Sequence, residues 1–166
     1  REVVSIMQAE RTQQSLQDLL TGEVQYTERL LVCLEAERMA LTQRDLQALE
    51  TTTQDKIQHT RQLQQLDQQR QKLVSELGFA TDTDGLLRCF DSLPHADTLK
   101  QLWQQILTNL EACQTSNLTN GGILESGRQH IEQGLRILRG QSATPSLYDP
   151  QGDTSADLGR RELGKV

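Results

Sequence analysis

The chain has 166 residues and a formal net charge of −6; 35% of its residues are hydrophobic, 3% aromatic and 24% charged. That length is one domain by default. Leu and Gln dominate, Pro is rare, and the β-branched and aromatic residues that strands favour are scarce, which excludes a β-sandwich or an α/β sheet. An acidic, ring-poor chain also lacks the basic patch or stacking platform of a nucleic-acid binder.

The first helix is expected over about 5–41, with Ser5-Ile6-Met7-Gln8 as a capping box and apolar residues recurring at Ile6, Ala9, Leu16, Leu20, Val24, Leu30, Leu31, Leu34 and Leu41. Gly22 is its weak spot, costing about 1 kcal/mol relative to Ala. Thr42-Gln43-Arg44-Asp45 reads as a tight turn and a new helix start, so the second helix is expected over about 43–77. Its stripe is Leu46, Leu49, Ile57, Leu63, Leu66, Leu73 and Leu77, closed by Gly78. So short a turn makes the two helices antiparallel, with Leu41 facing Leu46, Leu30 facing Ile57, and Arg70 reaching Asp18 or a neighbouring oxygen of the first helix.

A connector follows, in which Thr81-Asp82-Thr83-Asp84 caps a short helix over about 85–92 presenting Leu86, Leu87 and Phe90; Pro94 resets the chain and Asp97 caps the next element. From Leu99 the positions Trp103, Ile106, Leu110, Cys113, Asn117, Asn120, Leu124, Gly127, Ile131, Gly134 and Leu138 step by four and three without interruption, the mark of a heptad seam. The phase is the same on both sides of Gly121-Gly122, so one helix is expected over about 97–139, with at most a bend at the glycines. Beyond Gly140 the periodicity stops among Pro, Gly, Ser and Asp, and 141–166 reads as a disordered tail. The expected fold is all-α: an elongated, coiled-coil-like antiparallel three-helix bundle over 1–140 with a short connector helix.

No catalytic constellation is legible. His59, His95 and His130 are not spaced as ligands on one helix face, no Cys-x-x-Cys occurs, and paired acids such as Glu35 and Glu37 belong to a helix surface. Cys113 reads as a small apolar seam residue and Trp103 as a core anchor. Cys33, Cys89 and Cys113 are far apart and odd in number, which suits reduced thiols; with no signal-peptide-like stretch and no apolar run long enough for a membrane span, the expected compartment is the cytoplasm. The Asn117-Leu118-Thr119 sequon is then a coincidence. No enzyme activity, cofactor or metal is expected, and helix surfaces remain as the working parts.

Five segments carry a resemblance. They are Glu37-Arg38-Met39-Ala40-Leu41; Leu46, Leu49 and Lys56; Leu66-Asp67-Gln68-Gln69-Arg70-Gln71-Lys72-Leu73-Val74; Asn117-Leu118-Thr119-Asn120-Gly121-Gly122-Ile123-Leu124; and Tyr148-Asp149-Pro150-Gln151-Gly152. With these the chain resembles the FlgN family of flagellar type III export chaperones over roughly Leu16 to Gly152. The family pattern wants one small residue after Asn-Gly where this chain has Gly121-Gly122. The resemblance implies a cytoplasmic chaperone without ATPase activity. Such a protein binds the C-terminal helical segments of hook-associated (hook–filament junction) proteins, prevents their self-assembly and delivers them to the export gate. It also places substrate binding toward the C-terminal part, carried here to Asn117, Leu118, Asn120, Gly121, Ile123, Leu124, Gly127, Ile131, Leu135, Leu138 and Tyr148. Seam asparagines would set the register of a foreign helix, and Gly127 and Gly134 would let it approach. The free protein is expected to be a monomer. The alternatives are a self-associating structural coiled-coil protein without an export role, and a regulatory enzyme, for which the sequence shows no site.

Overall fold

The structure, a computed structural model, describes residues 2–139. Among these there are four helices and no strand: α1 (Glu2–Gln43), α2 (Leu46–Glu76), α3 (Thr83–Asp91) and α4 (Ala96–Leu138). Two compact units divide the chain, one through Glu125 and one beginning at Ser126. Within α4 the residues Asn120–Gly122 are helical, so the chain does not reverse at the two glycines.

Helix ends follow local capping chemistry, and three differ from the sequence reading. α4 starts at Ala96, so Asp97 lies inside its first turn rather than capping it. α1 begins before Ser5, which lies inside the helix rather than at a capping box. Thr42 is also helical, its hydroxyl donating to the Arg38 carbonyl at 2.8 Å. The turn is made instead by Arg44, in the left-handed region at φ 56°, and by Asp45, whose carboxylate accepts from the Ala48 N–H at 3.0 Å. A carboxylate caps a helix start at least as well as a threonine hydroxyl, and the acid three residues after Thr42 is itself the cap. Asp82 does the same for α3 by accepting from Gly85 N–H at 2.8 Å. Gly78, at φ 85°, closes α2 as expected for a residue without Cβ in that region.

In the unit through Glu125, α1 and α2 run antiparallel, as the pairs Glu23–Arg70, Tyr26–His59, Cys33–Thr52 and Glu37–Lys56 show. α4 lies along α1 in the same direction, joined through Thr27–Asn109 and Leu34–Asn120. The apolar core sits at one end of this unit, where Leu16, Leu20 and Val24 of α1, Val74 of α2, Leu86, Cys89 and Phe90 of α3, and Leu99 and Ile106 of α4 form one buried cluster. Burying such side chains supplies about 1.5–3 kcal/mol each. α3 therefore works as a lid on the core rather than as a bare connector.

Gly22 is more than a weak spot. A Cβ there would lie 3.1 Å from Leu66 Cδ1, so the glycine makes the room in which α2 seats Leu66 against α1. The α2 stripe also differs from the apolar reading. Leu46 and Ile57 are exposed, at 79% and 54%, whereas Thr52 and Arg70 are buried. The inward positions Thr52, Lys56, His59, Leu63, Leu66, Arg70 and Leu73 step by four and three and pass Ile57 by one position, with Val74 buried beside Leu73. Leu30 and Ile57 do not face each other: the series turns Lys56 inward and leaves Ile57 on the outer side with Arg61 and Gln64. α1 and α2 form the expected antiparallel hairpin, but Leu46 and Ile57 are not its facing residues, and polar side chains stand where apolar ones were expected.

Candidate partner-binding face

Beside and beyond the apolar cluster the interior of the first unit also holds polar side chains, among buried Cys33, Leu34, Ala40 and Cys113, and these polar residues come from three helices. Arg70 is 6% exposed and Glu23 2%. The Arg70 Nε–H donates to both Glu23 oxygens, at 3.2 and 3.0 Å, its Nη2 donates to Asp67, and its guanidinium lies 4.7 Å over the Trp103 ring of α4. Arg70 thus reaches Glu23, not Asp18, because Asp18 lies off the inner face of α1. Burial pushes the Glu23 carboxyl above its ordinary value, and Arg70 pulls it back only in part. Farther along, Asn109 Nδ2 donates to the Thr27 hydroxyl at 3.0 Å and the Cys113 thiol to the Thr27 carbonyl at 3.7 Å.

The third cluster joins motif residues. Asn120, 2% exposed, donates from Nδ2 to the Leu34 carbonyl and to Glu37 Oε1, both at 2.9 Å. Lys56 of α2 donates to Glu37 Oε2 at 2.8 Å and to Asn117 Oδ1 at 3.4 Å. Glu37, Lys56, Asn117 and Asn120 come from three separate segments that carry the family resemblance. They meet as one interlock: a buried carboxylate bridging an amide on α4 and an ammonium on α2. Asn120 therefore sets the register of α4 on α1 inside this chain. Polar groups placed so are expensive to leave unpaired, which is why they fix one alignment of the helices.

Sequence reasoning missed Gln13, Glu23, Thr27 and Glu37 as interior residues, although all four are buried. The signal was present: Gln13, Leu16, Leu20, Glu23, Thr27, Leu30, Leu34, Glu37 and Leu41 step by three and four without a fault. Selecting apolar residues alone skips every polar member of that series.

The other singled-out residues have these places. In the first unit Leu118 and Leu124 are exposed, at 70% and 53%, Ile123 is half-buried, and a Cβ on Gly121 would meet nothing within 4 Å. In the unit from Ser126, Ile131, Leu135 and Leu138 are exposed, at 66%, 44% and 84%, and the space over Gly127 and Gly134 is open. On a single helix, Gly127, Ile131, Gly134 and Leu138 share one face by their four-three spacing, with Leu135 beside it. Tyr148 lies outside the described residues.

Burial raises the Cys33, Cys89 and Cys113 thiols, so they stay protonated, and no group of three or more His, Cys, Asp or Glu among the described residues could hold a metal ion. Among the described residues no helix is long and apolar enough to cross a membrane. A groove of about 400 Å³ between α1 and α2, lined by Arg29, Val32, Cys33, Thr52, Asp55 and His59 among others, is open and mixed in charge.

What the described residues define is a helical protein with an interior keyed by polar interlocks and aliphatic side chains left exposed toward the end of α4. A model of the FlgN protein family matches residues 7–156, and the chain belongs to that family. Its role is accordingly in flagellum assembly. Among solved structures, it is similar to a flagella synthesis protein FlgN from Pseudomonas aeruginosa. The two are 28% identical, with a TM-score of 0.63, over 66% of this chain and 86% of that one. No curated protein matches the chain.

Proposed function

We propose that this chain is a cytoplasmic, non-enzymatic export chaperone. It binds the C-terminal helical segments of flagellar hook-associated proteins, keeps them from assembling early and brings them to the export gate. In this reading α1, α2 and α4 form an antiparallel three-helix bundle within a working domain of residues 1–140, and Tyr148 serves delivery rather than substrate affinity. The observation that carries the reading is the apolar face of α4: Ile131, Leu135 and Leu138 stand 44% to 84% exposed on a helix that carries glycine at every alternate seam position beside them. An exposed aliphatic face of this kind on a helix is the surface that a partner helix laid in a groove would cover.

The test is isothermal titration of a hook-associated C-terminal peptide into the full chain and into Leu135→Ala with Leu138→Ala. The double substitution should weaken binding by a few kcal/mol, since truncating interface anchors commonly costs about 2 kcal/mol or more each, while helicity by circular dichroism is kept. Unchanged affinity would move the docking surface to α1 and α2. Tyr148→Ala should leave peptide affinity intact and reduce export. The rival, a self-associating structural coiled coil, requires a salt-stable dimer at micromolar concentration, which sedimentation of the free chain decides.

A further inference from the structure

The end of α4 carries more than an apolar face. From Ser126 to Arg139 the end of α4 and the residue after it hold Arg128, Arg136 and Arg139 against Glu132, a local net charge of +2 in a chain whose total is −6. With Ile131 and Leu138 in line, and Gly127 and Gly134 beside them, helical geometry places every one of these charges on the same flank. Arg128 lies next to the stripe, Glu132 and Arg139 a step farther round, and Arg136 beyond them. Arg128 donates to Glu132, so among the described residues from Ser126 onward the positive charge in excess of that pair lies on Arg136 and Arg139. The opposite flank, Ser126, His130, Gln133 and Ile137, carries no residue charged at neutral pH apart from what His130 takes up.

We propose that the segment docked on this face is an amphipathic helix with acidic residues along one edge, so that charge as well as apolar contact selects the partner and fixes its direction. This rests on the reading of the α4 face as the docking site and adds the chemistry of what docks. A one-sided basic edge gives a partner helix an orientation that the apolar stripe and glycines alone do not supply, because an apolar ridge fits a flat groove either way round. It also disfavours a second copy of this chain as occupant, since two copies meeting here bring two positive edges to one interface.

The probes are two designed amphipathic peptides about three heptads long, identical in their apolar face, one with Glu and one with Lys along a single edge. They are titrated into the full chain. The Glu peptide should bind about tenfold or more tightly than the Lys peptide, and its advantage should shrink as salt rises from about 0.05 to about 0.5 M. Arg136→Glu with Arg139→Glu should reverse the preference. Equal affinity for both peptides, binding of neither, or a preference that survives the double reversal would overturn the proposal. So would sedimentation showing a dimer of the free chain that Ile131→Asp dissociates. Failure of the underlying reading has a different signature. If a hook-associated C-terminal segment binds Ile131→Asp with Leu138→Asp as tightly as the unaltered chain, the docking site is elsewhere. If that segment is lost while both designed peptides bind the unaltered chain equally, only the charge inference fails.

Discussion

The two stretches of α4 follow one heptad phase and put it to opposite uses. In the first, Leu99, Ile106, Cys113 and Asn120 recur every seventh residue and are 0%, 2%, 5% and 2% exposed. In the second, Gly127 and Gly134 continue that same line with open space where a side chain would begin, and the neighbouring line of Ile131 and Leu138 is mostly exposed. Periodicity therefore tells where a helix has a face, and the size and polarity of the residues on that face tell whether the chain fills it itself. On that one line the leucine, isoleucine, thiol and hydrogen-bonding amide of the first stretch are buried, whereas the second stretch places glycine there and leaves its aliphatics exposed.

The strongest way to break the comparison is at the apolar end. Phe90→Ala empties the site where α3 covers Leu16, Leu20 and Leu99, and should cost about 3–5 kcal/mol in urea unfolding. A cost under about 1 kcal/mol would mean that α3 does not close the core.

Arg70→Met comes next. It leaves Glu23, 2% exposed, without its cation, and breaking a buried pair from one side costs about 3 kcal/mol. Replacing both partners, Arg70→Met with Glu23→Met, should recover most of that loss, because an apolar pair has no uncompensated charge. Glu23 also gives a pH signature. Its folded-state pKa is raised above 4.5, so the folded chain holds this proton more tightly than the unfolded chain does. That contribution is fully present below pH 4.5 and is lost as pH rises through the raised value; stability should fall across that interval. Glu23→Gln should remove this part of the slope in unfolding measured as a function of pH.

Asn120→Ala sharpens the contrast within the seam. It frees the Leu34 carbonyl and one Glu37 oxygen from their α4 donor, at a cost of about 1–3 kcal/mol. Lys56, still 2.8 Å from Glu37, should hold the α1–α2 side, so the loss should appear as earlier hydrogen exchange along α4 around residue 120 than along α2.

These interlocks also mark what could be read before any coordinates. The helices, the run through Gly121-Gly122 and the phase of α4 were legible because Leu, Ile and Trp stand on the seam there in sequence. The interior of α1 and α2 was not, because Glu23, Thr27, Glu37, Lys56 and Arg70 are surface residues by type and become interior ones only through partners 19 to 86 residues away. Ile57 misled for the converse reason: it is apolar by type and lies one position off the series. Family motifs were legible as strings, and their meeting in Glu37–Lys56–Asn117–Asn120 required the third dimension.

The smallest stability effect carries the most functional weight. Ile131→Ser with Leu138→Ser removes two aliphatic side chains that are already 66% and 84% exposed, so little buried area is lost on folding and unfolding should shift by no more than about 0.5 kcal/mol. The same two changes strip the stripe of the docking face, and affinity for a hook-associated C-terminal peptide should fall by at least about tenfold, the minimum expected when central anchors are lost. Urea unfolding and titration on the same preparation separate the two quantities. A large stability loss would show that the chain packs these residues for itself, and the contrast between the two stretches of α4 would disappear. Unaltered stability with unaltered affinity would leave the contrast standing as a fact of packing and take the docking site away from it.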